Sequence, residues 1–220
     1  MVSTCSVVLL ALTSFLVYGS SDGCSCMNSH PQEHYCSADF VAVVQVKRAR
    51  KNTINSVTAY HIRTRRIFKA NHKVEAALKH GLLWSSSKAN SCGLRLKRRK
   101  YLVTGHVTGE KPWVSLCNFV REWSTLTKKQ RKGFRRLYGQ GCRCKVRAPG
   151  FVRFTPLEYT KEHYCLWETA WLENESDCQG RHTMCVPSVH NEGKCLWVHN
   201  SAYRHCMKRN RKLKALKKSP

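Results

Sequence analysis

Residues 24–36 read CSCMNSHPQEHYC, with three cysteines close together. They follow an apolar run, residues 7–17, and a short stretch of small residues. This run is too short to span a bilayer and is typical of a secretory signal peptide. A buried strand is the alternative, but it would not explain the sharp change to polar residues that follows. We therefore expect residues 1–23 to be a signal peptide that is cleaved between Gly23 and Cys24.

The cysteine count agrees with an oxidising compartment. Of 13 cysteines, Cys5 lies in the expected signal peptide, which leaves 12. An even number in a secreted chain predicts a disulfide framework. Zinc coordination is the alternative for the tight C-x-C pairs, but structural zinc sites usually use C-x-x-C spacing. The twelve are Cys24, Cys26, Cys36, Cys92, Cys117, Cys142, Cys144, Cys165, Cys178, Cys185, Cys195 and Cys206.

The charge is strongly positive. Lys and Arg number 39 against 13 acids, a formal net charge of +26. The densest clusters are at residues 47–51, 95–100, 128–136 and 208–218. Inside a cell this would suggest nucleic acid, but for a secreted chain we expect sulfated glycosaminoglycans instead and no nucleic-acid partner. A solvated surface that only keeps the protein soluble is the alternative interpretation.

Strand-like runs dominate the first part of the mature chain. Residues 40–46 are β-branched and apolar, residues 57–68 alternate, and Leu94 with Leu96, residues 101–103 and Val107 are shorter candidates. After these strands the spacing of the apolar residues changes to that of a helix.

Residues 124–138 predict one amphipathic helix. Thr127 and Gln130 form a candidate capping box at its start, and Gly139 is the expected stop. Short strands closed by one helix are typical of an OB-type barrel.

The sequence therefore predicts a mostly β fold with helices. We expect an OB-like five-stranded barrel over residues 24–143, a small disulfide-rich domain over 144–207 and a basic tail over 208–220. A domain as short as the second needs disulfides, because its core is small.

Catalytic motifs do not appear. The sequence contains no HExxH, GxSxG or P-loop, so we expect a protein that is not an enzyme and has no cofactor of its own. We interpret the 11 histidines as basic surface residues. Asn174 begins the sequon Asn-Glu-Ser and is a candidate glycosylation site. After residue 23 no segment is long and apolar enough to span a membrane.

Short segments along the mature chain form a specific set. They are CSCM at 24–27, HPQ at 30–32, Cys36 with Asp39, SCG at 91–93, YLVTG at 101–105, CNF at 117–119 before Trp123, GCRCK at 141–145, and CLW at 165–167 and 195–197. In order and spacing this set resembles the tissue inhibitors of metalloproteinases, a netrin-like family. The resemblance covers essentially the whole mature chain and is most specific in its first two thirds.

The resemblance implies an inhibitory mechanism. In such inhibitors the α-amino nitrogen and carbonyl oxygen of the first cysteine, here Cys24, contact the catalytic zinc of the target and replace its hydrolytic water. Ser25 would project into the primed-side specificity pocket, and Met27 would add a flexible apolar contact. The metalloproteinase-binding residues implied in this way are Cys24, Ser25, Cys26, Met27, Ala89, Asn90, Ser91 and Cys92.

The resemblance also implies disulfide pairs. They are Cys24 with Cys92, Cys26 with Cys117, Cys36 with Cys142, Cys144 with Cys195, and Cys165 with Cys185. The family's close cysteine pair just after Cys144 is missing, and Cys178 and Cys206 are extra. By elimination these two would form a new bridge.

Three functions remain to be weighed. The leading hypothesis is a secreted, monomeric inhibitor of matrix metalloproteinases and related zinc endopeptidases. A netrin-like module that only binds heparan sulfate in the extracellular matrix is the second. A cationic antimicrobial protein is the third, because the charge would attract anionic membranes. Only the inhibitor requires a free amine on Cys24.

Overall fold

The computed structural model describes residues 23–150, 163–172 and 175–216. Most of the expected signal peptide, the sequon residue Asn174 and the last four residues lie outside these ranges. None of the helices within the described residues is long and apolar enough to cross a membrane.

A curved sheet forms the first half of the chain. Its strands are β1 (Phe40–Asn52), β2 (Val57–Lys69), β3 (Leu82–Ser86), β4 (Lys100–Thr108), β5 (Lys111–Trp113) and β6 (Val120–Glu122). Strand β1 pairs with β2 in an antiparallel hairpin and also with β4, so the order β1-β2-β3-β5-β4 returns to β1. Strand β6 is added beside β4. The pairing closes a ring of five strands, and this confirms the predicted OB-like architecture.

The first half of strand β1, residues 40–46, is buried on both faces. Phe40, Ala42 and Val44 point into the core inside the ring, whereas Val41 and Val43 belong to a second apolar cluster. This division follows from the period of two in a β-strand. The second cluster contains Phe134 and Tyr138, and it therefore packs the helical segment of residues 123–141 onto the sheet.

That helical segment is less regular than predicted. The capping box is confirmed, because the Thr127 side chain accepts from the Gln130 backbone and the Gln130 side chain accepts from Thr127. Helix α3 (Lys128–Lys132) then passes into a π-turn (Gly133–Leu137) and a 3-10 turn (Tyr138–Gly141), after a 3-10 turn at Trp123–Thr125. The prediction of a stop at Gly139 was wrong, because the helical segment continues to Gly141.

Gly133 lies where the helix widens. A Cβ on Gly133 would come within 2.4 Å of the Tyr138 ring, which packs across the backbone there. A residue with a side chain would therefore displace this ring, and glycine leaves room for it.

Two further helices of the first domain were not predicted. Helix α1 (Pro31–Ser37) begins directly after the N-terminal segment, and helix α2 (His72–Lys79) connects β2 to β3. Leu94 and Leu96, which were predicted as a strand, do not form one. The Tyr60 hydroxyl donates to Leu94 O and accepts from Leu96 N, so a side chain satisfies this backbone instead of a neighbouring strand.

The second part of the chain is small and held by disulfides. Its core contains Cys144, Cys165 and Cys185 together with Val146 and Trp167. Strands β7 (Lys145–Arg147) and β8 (Tyr164–Leu166) pair in parallel, and β9 (Cys185–Pro187) pairs with β10 (Cys195–Trp197). Helix α4 (Cys178–His182) lies between β8 and β9 in sequence.

The basic run near the end of the chain is helical. Helix α5 (Ser201–Leu216) includes residues 208–216, so the expected boundary at 207/208 falls inside a helix. Cys206 and Asn210 are buried on its inner face. Residues 211–216 are all exposed and extend past these anchors.

Candidate functional site

Two disulfides fix the segment at residues 24–28. Cys24 is bonded to Cys92 and Cys26 to Cys117, with Cα–Cα distances of 5.0 and 5.1 Å. The sulfurs of Cys92 and Cys117 lie 3.5 Å apart, so the two bridges are adjacent. These four sulfurs resemble a metal cluster in position, but disulfide sulfurs carry no thiolate to bind a metal.

The loop that receives Cys24 is tightly folded. Cys92 N donates to Ala89 O at 3.1 Å, and Gly93 N donates to Lys88 O at 3.1 Å. Cys92 has φ of +54°, a left-handed conformation that is uncommon for a residue with a side chain. A Cβ on Gly93 would lie 2.2 Å from Ser86 O, so only glycine allows the loop to fold back onto β3.

The loop that receives Cys26 is also ordered by hydrogen bonds. Asn118 Oδ1 accepts from the backbone of Ser115 at 2.8 Å and from its hydroxyl at 3.1 Å. Ser115 Oγ in turn accepts from Cys117 N at 3.3 Å, and Leu116 N donates to Cys92 O at 2.9 Å. The last bond connects the two receiving loops directly.

The far end of the segment is bonded to the second domain. Asn28 Nδ2 donates to Ala170 O at 2.6 Å. Gln32 is fully buried, donates to Gly141 O and Cys185 O, and accepts from Cys185 N, each at 2.9 Å. The segment is therefore held at both ends.

The tip between these anchors is open to solvent. The structure brings the implied binding residues together in two neighbouring strips, residues 24–27 and 89–92. Ser25, Met27, Ala89, Asn90 and Ser91 are exposed, with Met27 at 67%. Since neither strip contains a charged side chain, the tip is a neutral, polar edge. We call these two strips the N-terminal edge.

His30 corrects the prediction that the histidines are surface residues. It is fully buried and caps helix α1, with its Nδ1 accepting from Gln32 N at 3.1 Å. Its Nε2 lies 3.2 Å from Gln179 O and its ring lies 5.3 Å from that of Trp167. Burial lowers the pKa of His30 to about 3, so the ring is neutral and Nε2–H donates to Gln179 O.

His34, one turn further along α1, is also shielded. Burial lowers the pKa of His34 to about 4, and the positive charge of Arg121 contributes to the same shift. A helix start recognised at this point of the sequence could have revealed both histidines, because His30 caps α1 and His34 lies one turn along it. His30 directly precedes a proline at a helix start, where a side-chain acceptor is needed.

The remaining bridges join the pairs that the resemblance implies. Cys36 is bonded to Cys142, Cys144 to Cys195 and Cys165 to Cys185. The two extra cysteines, Cys178 and Cys206, are bonded to each other, which attaches α5 to α4.

A separate surface of interest is a basic groove of about 600 Å³ between β2 and helix α3. Phe68, Trp123 and Val43 provide its apolar contacts, and Arg131 lies 5.1 Å from the Trp123 ring centre. None of the lining residues is acidic. The cationic lining residues are Arg65, Arg66, Lys100, Lys128, Arg131, Lys132 and Arg135.

Comparison with known proteins decides the family. The sequence model described as tissue inhibitor of metalloproteinase matches residues 22–197. The chain belongs to the tissue inhibitor of metalloproteinases family. It is 31% identical over 201 residues to metalloproteinase inhibitor 3 of Scyliorhinus torazame, covering 89% of this chain and 90% of that protein. It is 29% identical to the tissue inhibitor of metalloproteinase of Drosophila melanogaster, covering 91% and 94%.

The family match includes the N-terminal edge and both domains but ends before α5. Identity to the mouse metalloproteinase inhibitor 4 is 27%, covering 87% of this chain. Membership in the tissue inhibitor family confirms the resemblance drawn from the CSCM, HPQ and GCRCK segments. Helix α5, which contains Cys206, therefore lies beyond the residues that the family model matches.

Proposed function

We propose that this protein is a secreted inhibitor of matrix metalloproteinases and related zinc endopeptidases, and not an enzyme. The observation that carries the proposal is the N-terminal edge, where an exposed, uncharged segment is held by two adjacent disulfides. Family membership supports the same conclusion, since the relatives are named as inhibitors of metalloproteinases. Signal-peptide cleavage before Cys24 is part of the proposal.

The proposed mechanism uses the first residue of the mature chain. After cleavage, the α-amino nitrogen and carbonyl oxygen of Cys24 bind the catalytic zinc of the target and displace its water. An α-amino group has a pKa of about 7.7–8.0, so binding at neutral pH releases a proton from much of the population. The bound amine blocks the position that a nucleophilic water needs.

Rigidity explains why such a short segment would bind tightly. The bridges to Cys92 and Cys117 order the backbone before the target arrives, so little conformational entropy is lost on docking. In this arrangement Ser25 enters the primed-side pocket without filling it. A short side chain there favours many targets over one.

One added residue tests the mechanism. We compare mature protein beginning at Cys24 with protein that carries a single alanine before it, measuring inhibition of a collagenase catalytic domain. The extension moves the amine and occupies the space over the metal, so we expect inhibition to fall by at least about a hundredfold. Both proteins should show the same disulfide map and the same unfolding temperature. Full inhibition by the extended protein would refute zinc binding by Cys24.

A second function is favoured by the basic groove. We propose that the groove binds heparan sulfate, which would hold the inhibitor in the extracellular matrix. Seven cations around an aromatic floor suit a sulfated sugar chain, because the cations attract sulfate groups and the rings contact the sugar.

Elution from heparin at increasing salt tests this binding. We compare a variant with Arg65, Arg66, Lys132 and Arg135 changed to Gln with one in which four exposed cations outside the groove, Lys47, Arg48, Arg50 and Lys51, are changed. The groove variant should elute at clearly lower salt than the control, and both should inhibit proteinases equally. Equal shifts would indicate that only net charge matters, and passage of the native protein at physiological salt would end the proposal.

A further inference from the structure

A small cavity lies where the helical segment of residues 123–141 meets the second domain. Its volume is about 280 Å³. Sites for drug-sized ligands usually measure about 300–1,000 Å³, so this cavity suits a smaller molecule. Its lining includes no residue of the N-terminal edge, and of its described residues only Lys132 also lines the basic groove. The cavity is therefore a separate place on the molecule.

Hydrogen bonds hold the two walls of the cavity together. Gln130 Nε2 donates to Gly180 O at 3.1 Å, which joins α3 to α4. On the side of the second domain, Val198 N donates to Met184 O at 2.9 Å and extends the pairing of β9 with β10. Because these contacts exist without a ligand, little conformational entropy is lost when one binds.

Apolar side chains line the cavity from both domains. Leu137 and Tyr138 belong to the helical segment, and Met184 and Val198 belong to the second domain. Tyr138 is buried, and Met184 packs against the same apolar cluster. These four side chains suit a short hydrocarbon chain, which would leave water on entering the cavity.

Basic side chains complete the lining. Lys129 and Lys132 lie on one turn of α3, and His182 ends α4. Among the described residues, neither lysine ammonium group forms an ion pair or a hydrogen bond. No acidic residue is part of the described lining. An anion in the cavity would therefore meet two cations that have no competing partner.

The His182 ring can donate a hydrogen bond there as well. Burial lowers the pKa of His182, and the positive charges of Arg181 and Arg209 contribute to the same shift. The ring is therefore neutral at physiological pH and carries one N–H group.

We propose that this cavity binds a small organic anion with an apolar tail, of the class of medium-chain carboxylates. The carboxylate lies between the ammonium groups of Lys129 and Lys132, and the tail contacts Met184 and Val198. A ligand with charge alone leaves the apolar wall uncovered, and a ligand with a tail alone leaves the ammonium groups unpaired. Binding at this site is independent of zinc binding by Cys24.

NMR of the methionine methyl groups tests the site. Besides Met1, the chain contains Met27 at the N-terminal edge, Met184 in the cavity and Met207 in α5. When the mature protein is titrated with sodium octanoate, the Met184 signal should shift and saturate with a dissociation constant of about 1 mM or lower. The signals of Met27 and Met207 should stay in place, since neither residue lines the cavity.

Two charge variants provide a matched comparison. Lys129→Gln combined with Lys132→Gln should weaken octanoate binding at least about fivefold, because the carboxylate loses both cationic partners. Lys128→Gln combined with Arg135→Gln removes the same charge from the same helical segment but outside the cavity. This control should change the dissociation constant less than about twofold, because salt screens exposed charges that do not touch the ligand.

Two further probes separate the parts of the ligand. Acetate has the charge without the tail, and octylammonium has the tail with the opposite charge, so each should bind at least about tenfold more weakly than octanoate. The inference fails if acetate binds as well as octanoate or if the two charge variants bind octanoate equally. It also fails if Met27 and Met207 shift together with Met184, since octanoate would then bind to apolar surface in general.

Discussion

At the scale of single residues, His30 and Gln32 connect the N-terminal edge to the rest of the molecule. Both are fully buried, and both hydrogen-bond to the second domain. A buried amide whose donors and acceptor are all used is costly to remove, because its partners lose their hydrogen bonds too. The HPQ segment is therefore a structural connection between the domains, which the sequence alone does not reveal.

The buried histidines make stability depend on pH. The pKa of His30 is lowered to about 3 and that of His34 to about 4, against 6.5 for an unshielded histidine. As pH falls below 6.5 the unfolded chain binds protons that the folded protein does not, so the free energy of unfolding should decrease between pH 6.5 and 4. Each proton contributes a slope of up to about 1.4 kcal/mol per pH unit.

Denaturant unfolding at several pH values measures this slope. His30→Asn keeps a helix-capping side chain but cannot titrate, so its stability should fall less steeply with acid. Glu33 changes the stability with pH in the opposite direction, because burial raises its pKa. It is present in both proteins, so its effect cancels when the two slopes are compared. Identical slopes in the two proteins would contradict the neutral, buried state of His30.

At the scale of elements, the sequence predicts what depends on local pattern. The alternation in residues 57–68 and the apolar run at 40–46 correspond to β2 and β1, and the capping box places the start of α3. Strands β5 and β6 are three residues each and carry no periodic pattern, so their pairing with β4 is set by the tertiary fold. Leu94 and Leu96 look like a strand, but the Tyr60 hydroxyl satisfies their backbone.

The candidate site could be predicted from the sequence to a similar degree as the fold. The resemblance placed residues 24–27 and 89–92 together, because its motifs specify the cysteines that join them. It did not predict the contact of Asn28 with Ala170. This contact depends on how the two domains pack, and no local pattern in residues 167–172 encodes that arrangement.

Helix α5 is attached to the second domain by a disulfide bond. It has no acidic residue, and repulsion among its cations disfavours an isolated helix of 16 residues. The bridge from Cys206 to Cys178 closes a loop with a sequence separation of 28, which stabilises the folded state by about 3.5 kcal/mol in the chain-entropy treatment. Asn210 adds a hydrogen bond to Ser176 O at 2.7 Å.

Replacing both cysteines of this bridge by serine should therefore loosen α5 without affecting the N-terminal edge. We expect trypsin to cut within residues 208–214 at least about tenfold faster, while inhibition of a collagenase stays the same. Replacing both Cys165 and Cys185, which are buried in the core of the second domain, is the contrasting variant and should destabilise that domain as a whole. Unchanged proteolysis in the first variant would show that α5 is held by other contacts.

At the scale of the whole molecule, two functions are assigned to different surfaces. The N-terminal edge contains no charged side chain in residues 24–27 and 89–92, whereas the basic groove lies between β2 and α3 and contains seven cations. Long-range attraction to sulfated chains can therefore act without competing for the zinc site. The interdomain hydrogen bonds of Gln32, Gln130 and Thr127 hold the second domain beside the N-terminal edge.

The most direct test of the central claim is a crystal structure of the mature protein bound to a collagenase catalytic domain. The account predicts that the Cys24 α-amino nitrogen lies about 2.0–2.1 Å from the catalytic zinc, with the carbonyl oxygen of the same residue also directed at the metal and the catalytic water absent. A complex in which the zinc keeps its water and Cys24 lies beyond coordination distance would contradict it.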